Sequence, residues 1–303
     1  MANKWKDHSM TKEICKLLNE DGHVVFFDLE TTGISRKKDR ILQFAAIRCE
    51  NKGLKVIEKI NLYIKCPFSI PPAITEINHI DDDLLEREGV EEKLAFEKIH
   101  NFIKDDDILA GYNSKSFDEK FLEIFYNTYG CELLKRDSID VYIYAKNIIP
   151  KENLMITDEK GKVKSSYKLG VVTNYYFPNN EFDFHDAFED ITATKQVFEK
   201  LLEDGKRYIA EFEEEEEKRK HIPRQKVKVF SLGLFNPSQR IQRVYVNTDQ
   251  GKFYYDHVNH IWASKTGNLD SIDAEDMKNQ VFAMVDVNNE IDFYKEMIDR
   301  ESV

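Results

Sequence analysis

The stretch His23-Val24-Val25-Phe26-Phe27-Asp28-Leu29-Glu30-Thr31-Thr32-Gly33 constrains this chain more than any other. An apolar run, Val24 to Phe27, ends in two carboxylates separated by one residue. Along a β-strand, side chains two apart share a face. Asp28 and Glu30 therefore project together and Leu29 turns away. Like charges held side by side repel, and burial adds a desolvation cost. A hard divalent cation such as Mg²⁺, bound by carboxylate oxygens, removes that cost. Gly33 lets the chain turn sharply where a side chain would block a ligand. The stretch alone also fits a core strand whose last residues reach solvent, so partner carboxylates downstream must decide between the two readings.

The rest of the chain supplies a scaffold around this strand. Thr11 to Asn19 reads as a short amphipathic helix with Ile14, Leu17 and Leu18 on one face. A basic loop (Arg36, Lys37, Lys38, Arg40) follows the Thr-Thr-Gly turn. It fits a solvated loop and, by its place beside the carboxylates, a phosphate contact. Ile41 to Cys49 and Leu54 to Lys65 read as strands, and the short connections predict an antiparallel meander. Ile74 to Ile80 and Asp81-Asp82-Asp83 lead into a helix carrying Leu94, Phe96, Ile99 and Phe102 inward. Asp105-Asp106-Asp107 reads as a solvated linker. Ile108 to Asn113 is a short strand, after which a helix runs through Phe121, Leu122, Ile124, Phe125 and Tyr126. Ser116 and Glu119 have the spacing of a capping box, which puts Asp118 in that helix's first turn. Lys151 to Lys168 reads as a flexible excursion and Tyr167 to Phe177 as a short helix.

Phe184-His185-Asp186-Ala187-Phe188-Glu189-Asp190 opens the next helix. Asp186 and Glu189 again fit a capping box. With Asp186 as the N-cap, His185 and Asp190 meet across the first turn. The helix continues through Leu202 and either breaks at Gly205 or runs on into the acidic run Glu211 to Glu217. Pro223 marks a domain boundary, giving domains 1–222 and 223–303. Beyond it, Val244-Tyr245-Val246 and Phe253-Tyr254-Tyr255 flank Asp249-Gln250-Gly251 as a hairpin. Ala274 to Val285 and Ile291 to Ile298 read as helices, with Val281 to Val287 equally suited to a strand. The domain is a small α+β unit. Its aromatics (Tyr245, Phe253, Tyr255, Trp262) fit a hairpin core better than base stacking.

The net charge of −12 argues against non-specific nucleic-acid binding by the whole surface. It does not exclude a nucleic-acid enzyme, because bound metal and local basic patches reverse the field at a site. No apolar run approaches membrane-spanning length, and Met1 to Met10 lacks the apolar core of a secretory signal. Cys15, Cys49, Cys66 and Cys131 lie far apart and read as reduced packing residues of a cytoplasmic protein, with no zinc cluster.

Three segments in order carry a resemblance: Asp28-x-Glu30-Thr-Thr-Gly, then Asn113-x-x-x-Phe117-Asp118, then His185-x-x-x-x-Asp190. Together they resemble the DnaQ-like 3′→5′ exonucleases of the DEDDh group, over roughly residues 20–205, with smaller echoes at Ile74-Thr75-x-Ile77-Asn78 and Tyr167-Lys168-Leu169. The resemblance implies an RNase H-like α/β fold, a mixed sheet flanked by helices, ahead of the small C-terminal domain. It implies two Mg²⁺ or Mn²⁺ ions, with Asp28 bridging both and Glu30, Asp118 and Asp190 completing their shells. His185 would be the general base for the attacking water. Leu29, Thr31, Thr32 and Gly33 would hold the terminal nucleotide, with Asn113 and Phe117 supporting the second motif. Phe117 fits core packing equally well.

The expected activity is metal-dependent removal of nucleotides from the 3′ ends of single-stranded DNA or RNA. One alternative keeps the chemistry and acts on short oligonucleotides or nucleotide signals. Another is a scaffold or binding module that uses the fold to present the C-terminal domain. That domain leaves open a homodimer or a protein partner; no membrane association is expected.

Overall fold

The computed structural model describes residues 8–133, 137–158, 160–179, 182, 184, 186–220, 224–234, 243–256 and 261–287. His185, Pro223 and the expected helix over 291–298 lie outside them. The chain divides into two compact units, Met1–Glu211 and Phe212–Val303.

In the first unit, α1 (Ser9–Asn19) leads into β1 (His23–Thr31), β2 (Ile41–Glu50) and β3 (Val56–Tyr63). Short helices follow, α2 (Pro72–Asn78), α3 (Asp82–Glu88) and α4 (Glu92–Phe102). Next come β4 (Ile108–Gly111), α5 (Asp118–Thr128), β5 (Ser138–Asp140) and α6 (Val141–Ile148). The unit is completed by β6 (Met155–Thr157), β7 (Val163–Ser165), α7 (Leu169–Tyr176) and the start of α8 (Ala187–Lys220). The main sheet has the order β3-β2-β1-β4-β5. Its first three strands are the expected antiparallel meander, and β4 and β5 add in parallel to β1.

The alternation of β1 explains the layering. Val24 and Phe26 face one apolar cluster, built with residues of α1, α6, α7 and α8. Val25, Phe27 and Leu29 face another, built with α4 and α5. Both faces are covered, so β1 reads as a continuous apolar run and not as an alternating one. Phe26 meets Phe198 of α8 with ring centroids 5.5 Å apart. Each such buried aromatic contributes about 1.5–3 kcal/mol. The carboxyl ends of β1, β4 and β5 fall on one edge of the sheet, the edge at which α/β folds place ligands.

The structure departs from the sequence reading at five points. The single helix expected after Asp83 is two, α3 and α4, separated at Gly89. Leu94 and Ile124 face solvent, because the apolar stripes of α4 and α5 are narrower than their apolar content. Asp107 is buried and paired with Arg48 at 2.8 Å; it also accepts the Lys104 N–H, so it is no solvated linker residue. Within the expected excursion, β6 and β7 pair antiparallel, Met155 with Ser165 and Thr157 with Val163. Ser116 caps nothing at α5: its hydroxyl donates to Asn113, while Ser114 donates to Glu119.

Gly205 does not break α8. A Cβ there would lie 2.5 Å from the Tyr144 hydroxyl and 2.7 Å from Thr11 Oγ1, so the glycine admits α1 and α6 against the helix.

In the second unit, β8 (Val229–Leu234), β9 (Arg243–Thr248), β10 (Gly251–Asp256) and β11 (Ile261–Thr266) form an antiparallel sheet ordered β11-β10-β9-β8. The β9–β10 hairpin is the one expected. Helix α9 (Ala274–Val287) lays Met277 and Val281 on Val244, Val246, Phe253 and Tyr255, so the segment 281–287 is helical. Trp262 packs on this core, whereas Tyr245 pairs with Tyr254 at 5.6 Å and lies under Lys265. Among the described residues no helix is long and apolar enough to cross a membrane.

Candidate active site

The site is assembled at the carboxyl edge of the sheet from β1, the start of α5 and the start of α8. On β1, Asp28 pairs with Ala45 and Glu30 with Gln43, so both carboxylates leave the same face. Leu29, paired with Phe44 between them, is buried in the opposite core. Asp190 reaches the same point from the first turn of α8. One carboxylate oxygen from each of Asp28, Glu30 and Asp190 lies within 4.8 Å of the others. Asp118 stands at the first position of α5, buried, and its charge bears on Asp28 of β1.

Electrostatics match the crowding. Burial, and then the charges of Asp118, Asp190, Glu30 and Asp186, hold the Asp28 carboxyl well above its ordinary range. Burial and then Asp190 push Glu30 up to about 8, against a hydrogen bond from the Asn78 amide. Burial raises Asp118 to about 7, offset in part by the backbone N–H groups it accepts. A set of oxygen donors whose charges oppose one another is the donor chemistry of a hard divalent cation. The residues present fit such an ion.

The surroundings fix the cluster from both sides. Asp186 caps α8, accepting from Phe188 N at 2.9 Å and Glu189 N at 3.1 Å, as its spacing predicts. Its other oxygen accepts from the buried Gln43 amide at 3.3 Å. Thr32 and Asp39 close the turn after β1: the Thr32 hydroxyl donates to Asp39 at 3.0 Å, and Ser35 N donates to the same carboxylate at 2.7 Å. A Cβ on Gly33 would lie 2.7 Å from that carboxylate, so Asp39, rather than a ligand, fills the space the glycine leaves. The Thr31 hydroxyl donates to Gly33 O. Of the basic loop, Arg36 donates to Ser116 O at 2.8 Å, joining the loop to the second motif.

Asp28, Glu30, Asp118 and Asp190 thus converge. Thr31, Thr32 and Gly33 form the adjoining turn, and the Leu29 side chain is turned away from it. Asn113 is exposed in a left-handed conformation, φ 62°, its N–H held by Asp140 at 3.1 Å. Phe117 packs on Phe121 with centroids 4.9 Å apart. His185 lies outside the described residues. Two residues escape sequence reasoning as members of the cluster: Asn78, visible only as part of an echo, and Asp186, visible only as a cap.

The family model described as Exonuclease (RNase_T) matches residues 25–198. Among curated relatives, the PolC-type DNA polymerase III of Mycoplasma genitalium is 30% identical over 181 residues, 59% of this chain and 11% of that protein. The DNA polymerase III subunit epsilon of Treponema pallidum is 32% identical over 130 residues, 42% of this chain and 58% of that one. The chloroplastic/mitochondrial exonuclease DPD1 of Arabidopsis thaliana is 29% identical over 210 residues, 64% and 60%. The chain therefore spans less than two thirds of each of these relatives. Among solved structures, E. coli exonuclease I in complex with a dT13 oligonucleotide matches with TM-score 0.54 and 19% identity, over 74% of this chain and 55% of that one. This likeness shows the fold, an RNase H-like mixed sheet flanked by helices. Matched by that family model over more than half its length, and similar along that stretch to a DNA polymerase III subunit epsilon, the chain belongs to the RNase_T exonuclease family.

Proposed function

We propose that the chain removes nucleotides from the 3′ ends of single-stranded DNA or RNA by hydrolysis, as a DEDDh-type enzyme with two Mg²⁺ or Mn²⁺ ions. The convergence of Asp28, Glu30 and Asp190 oxygens within 4.8 Å, with the Asp118 charge acting on Asp28, carries this reading. The oligonucleotide seated on exonuclease I supports a strand as ligand. Asp28, Glu30, Asp118 and Asp190 would hold the ions. When bound, such ions activate a water and stabilise the charge on the leaving oxygen. The chain's own residues prepare that chemistry. The neighbouring backbone N–H groups favour the charged form of Asp118, and the Asn78 amide favours that of Glu30. The Asp186 cap sets the first turn of α8 and so the reach of Asp190. His185, one residue before that cap, takes the proton of the attacking water as the phosphorus–O3′ bond breaks. The exposed Asn113 and the turn Thr31-Thr32-Gly33 border the terminal nucleotide.

The test is incubation with 5′-labelled single-stranded DNA, RNA and dinucleotides in Mg²⁺, Mn²⁺ or EDTA, beside Asp28→Ala. A metal-dependent ladder shortening from the 3′ end and absent in the variant is expected. Full activity of Asp28→Ala would overturn the assignment, and cleavage of dinucleotides alone would replace the strand by a short oligonucleotide.

A further inference from the structure

At the carboxyl edge of the same sheet, past the ends of β4 and β5, lies a recess of about 700 Å³, bordered by Tyr112, Asn113, Tyr142, Lys146, Tyr167 and Lys168. That size is within the range of sites for small organic ligands. Its place is fixed by the strand register. Phe26 of β1 pairs with Ala110 of β4 in parallel, and Tyr112 follows directly on the carboxyl end of β4, as Tyr142 follows closely on that of β5. Asn113 shares the loop that ends at Asp118, and its N–H is held by Asp140, the residue that caps α6.

The walls are aromatic and held rigidly. The Tyr112 hydroxyl donates to the Tyr167 carbonyl, and the Tyr167 hydroxyl donates to the Ile149 carbonyl at 2.7 Å. Tyr142, on the first turn of α6, stands edge-on to both rings, with centroids 5.9 Å and 6.5 Å away and planes at 71° and 85°. The rim is basic. Lys146 Nζ lies 5.2 Å from the Tyr142 ring centre, and Lys168 also borders the recess; both lysines are exposed. Neither is in an ion pair among the described residues. On a chain with a net charge of −12, an open recess with lysines at its mouth is a local reversal of field. Packing alone explains three touching tyrosines. It does not explain an open cavity beside them or two exposed ammonium groups on its edge that no carboxylate pairs with among the described residues. Aromatic faces for bases and cations for the backbone are the two elements from which single strands are bound without sequence preference.

We infer that this recess is a nucleotide subsite for the single strand on the 5′ side of the bond being cut. A base stacks at Tyr142, and Lys146 and Lys168 contact the phosphates that flank it. The inference rests on the proposed exonuclease function, and it makes affinity depend on strand length: a strand of eight nucleotides fills the subsite and a mononucleotide does not reach it.

The test is binding of fluorescent dT8 to the full chain in EDTA, by anisotropy, which needs no hydrolysis. Tyr142→Leu should weaken dT8 binding about tenfold, the effect of losing one base–aromatic stack. Tyr142→Phe should stay within about twofold, because the ring and not the hydroxyl makes the stack. Lys146→Glu, on an exposed position, should weaken binding severalfold and steepen less with falling salt than the parent. It keeps the inference falsifiable if Tyr142→Leu does not fold. Binding of dT8 unchanged in Tyr142→Leu and Lys146→Glu overturns the subsite, as does equal loss in Tyr142→Leu and Tyr142→Phe. The two readings fail separately: absent cleavage in Mg²⁺ with these binding differences intact removes the exonuclease, whereas metal-dependent cleavage with unaltered dT8 binding removes the subsite alone.

Discussion

Asp28 and Glu30 are held where the fold itself does not want two charges. Their carboxyls are pushed upward by burial first and by neighbouring acids second, so each is a destabilising element of the metal-free protein. Replacing either by its neutral amide removes repulsion and keeps the shape. Asp28→Asn and Glu30→Gln should therefore raise the melting temperature in EDTA at pH 8 by several degrees, about 2–4 °C per kcal/mol for a chain of this size, while cleavage is lost. A lower melting temperature for both variants, by calorimetry, would contradict the repulsive cluster. Gly33 argues the opposite way. Its Cβ would meet an Asp39 carboxylate that Thr32 and Ser35 hold in place, so the carboxylate cannot yield. Gly33→Ala should cost about 1–3 kcal/mol, read as a denaturant midpoint shift. At this scale the sequence is informative where chemistry is local. Two acids one residue apart on a strand, and an acid after a cap, can be read from spacing alone. Asp107 could not be told from Asp105 and Asp106, because only the folded chain puts Arg48 beside it. Asp186 and Asn78 join the cluster through tertiary contacts that no spacing encodes.

At the scale of elements, the strand order explains why so much was legible. β1 is central, covered on both faces and apolar throughout, so its identity follows from composition. The short helices α2 and α3 and the β6–β7 hairpin were not legible in full. They are peripheral, their stability comes from packing, and their polar sequences resemble loops. Gly205 was ambiguous for a related reason. A glycine in a long polar helix signals a break by propensity, yet here it marks the closest approach of two other helices. Substituting alanine for an interior helical glycine ordinarily adds about 1 kcal/mol of stability. Gly205→Ala should instead lower it by about 1–3 kcal/mol, because the new methyl falls 2.5 Å from the Tyr144 hydroxyl and 2.7 Å from Thr11 Oγ1. A thermal melt that rises would mean that α1 is not seated on α8 as described.

For the whole molecule, the acid cluster couples folding to pH and to metal. Glu30, at about 8, and Asp118, at about 7, hold protons in the folded state that an unfolded chain has released by about pH 5. Between those limits the native protein binds more protons than the unfolded one, so the slope of stability against pH is negative. The cluster's contribution thus declines as pH rises from about 5 to about 8.5. A divalent cation reverses this. It binds the native cluster and not the unfolded chain, and stabilises more the less the carboxylates are protonated. The melting temperature in EDTA, referred to that of Glu30→Gln to remove other titrations, should fall across the range. Saturating Mg²⁺ should raise it at pH 8.5 and do little at pH 5. A difference curve that rises with pH, or a Mg²⁺ effect of equal size at both ends, would show that these carboxylates do not share an ion. The expected asymmetry ties metal loading, the charge of one sheet edge and the stability of the fold to a single set of side chains.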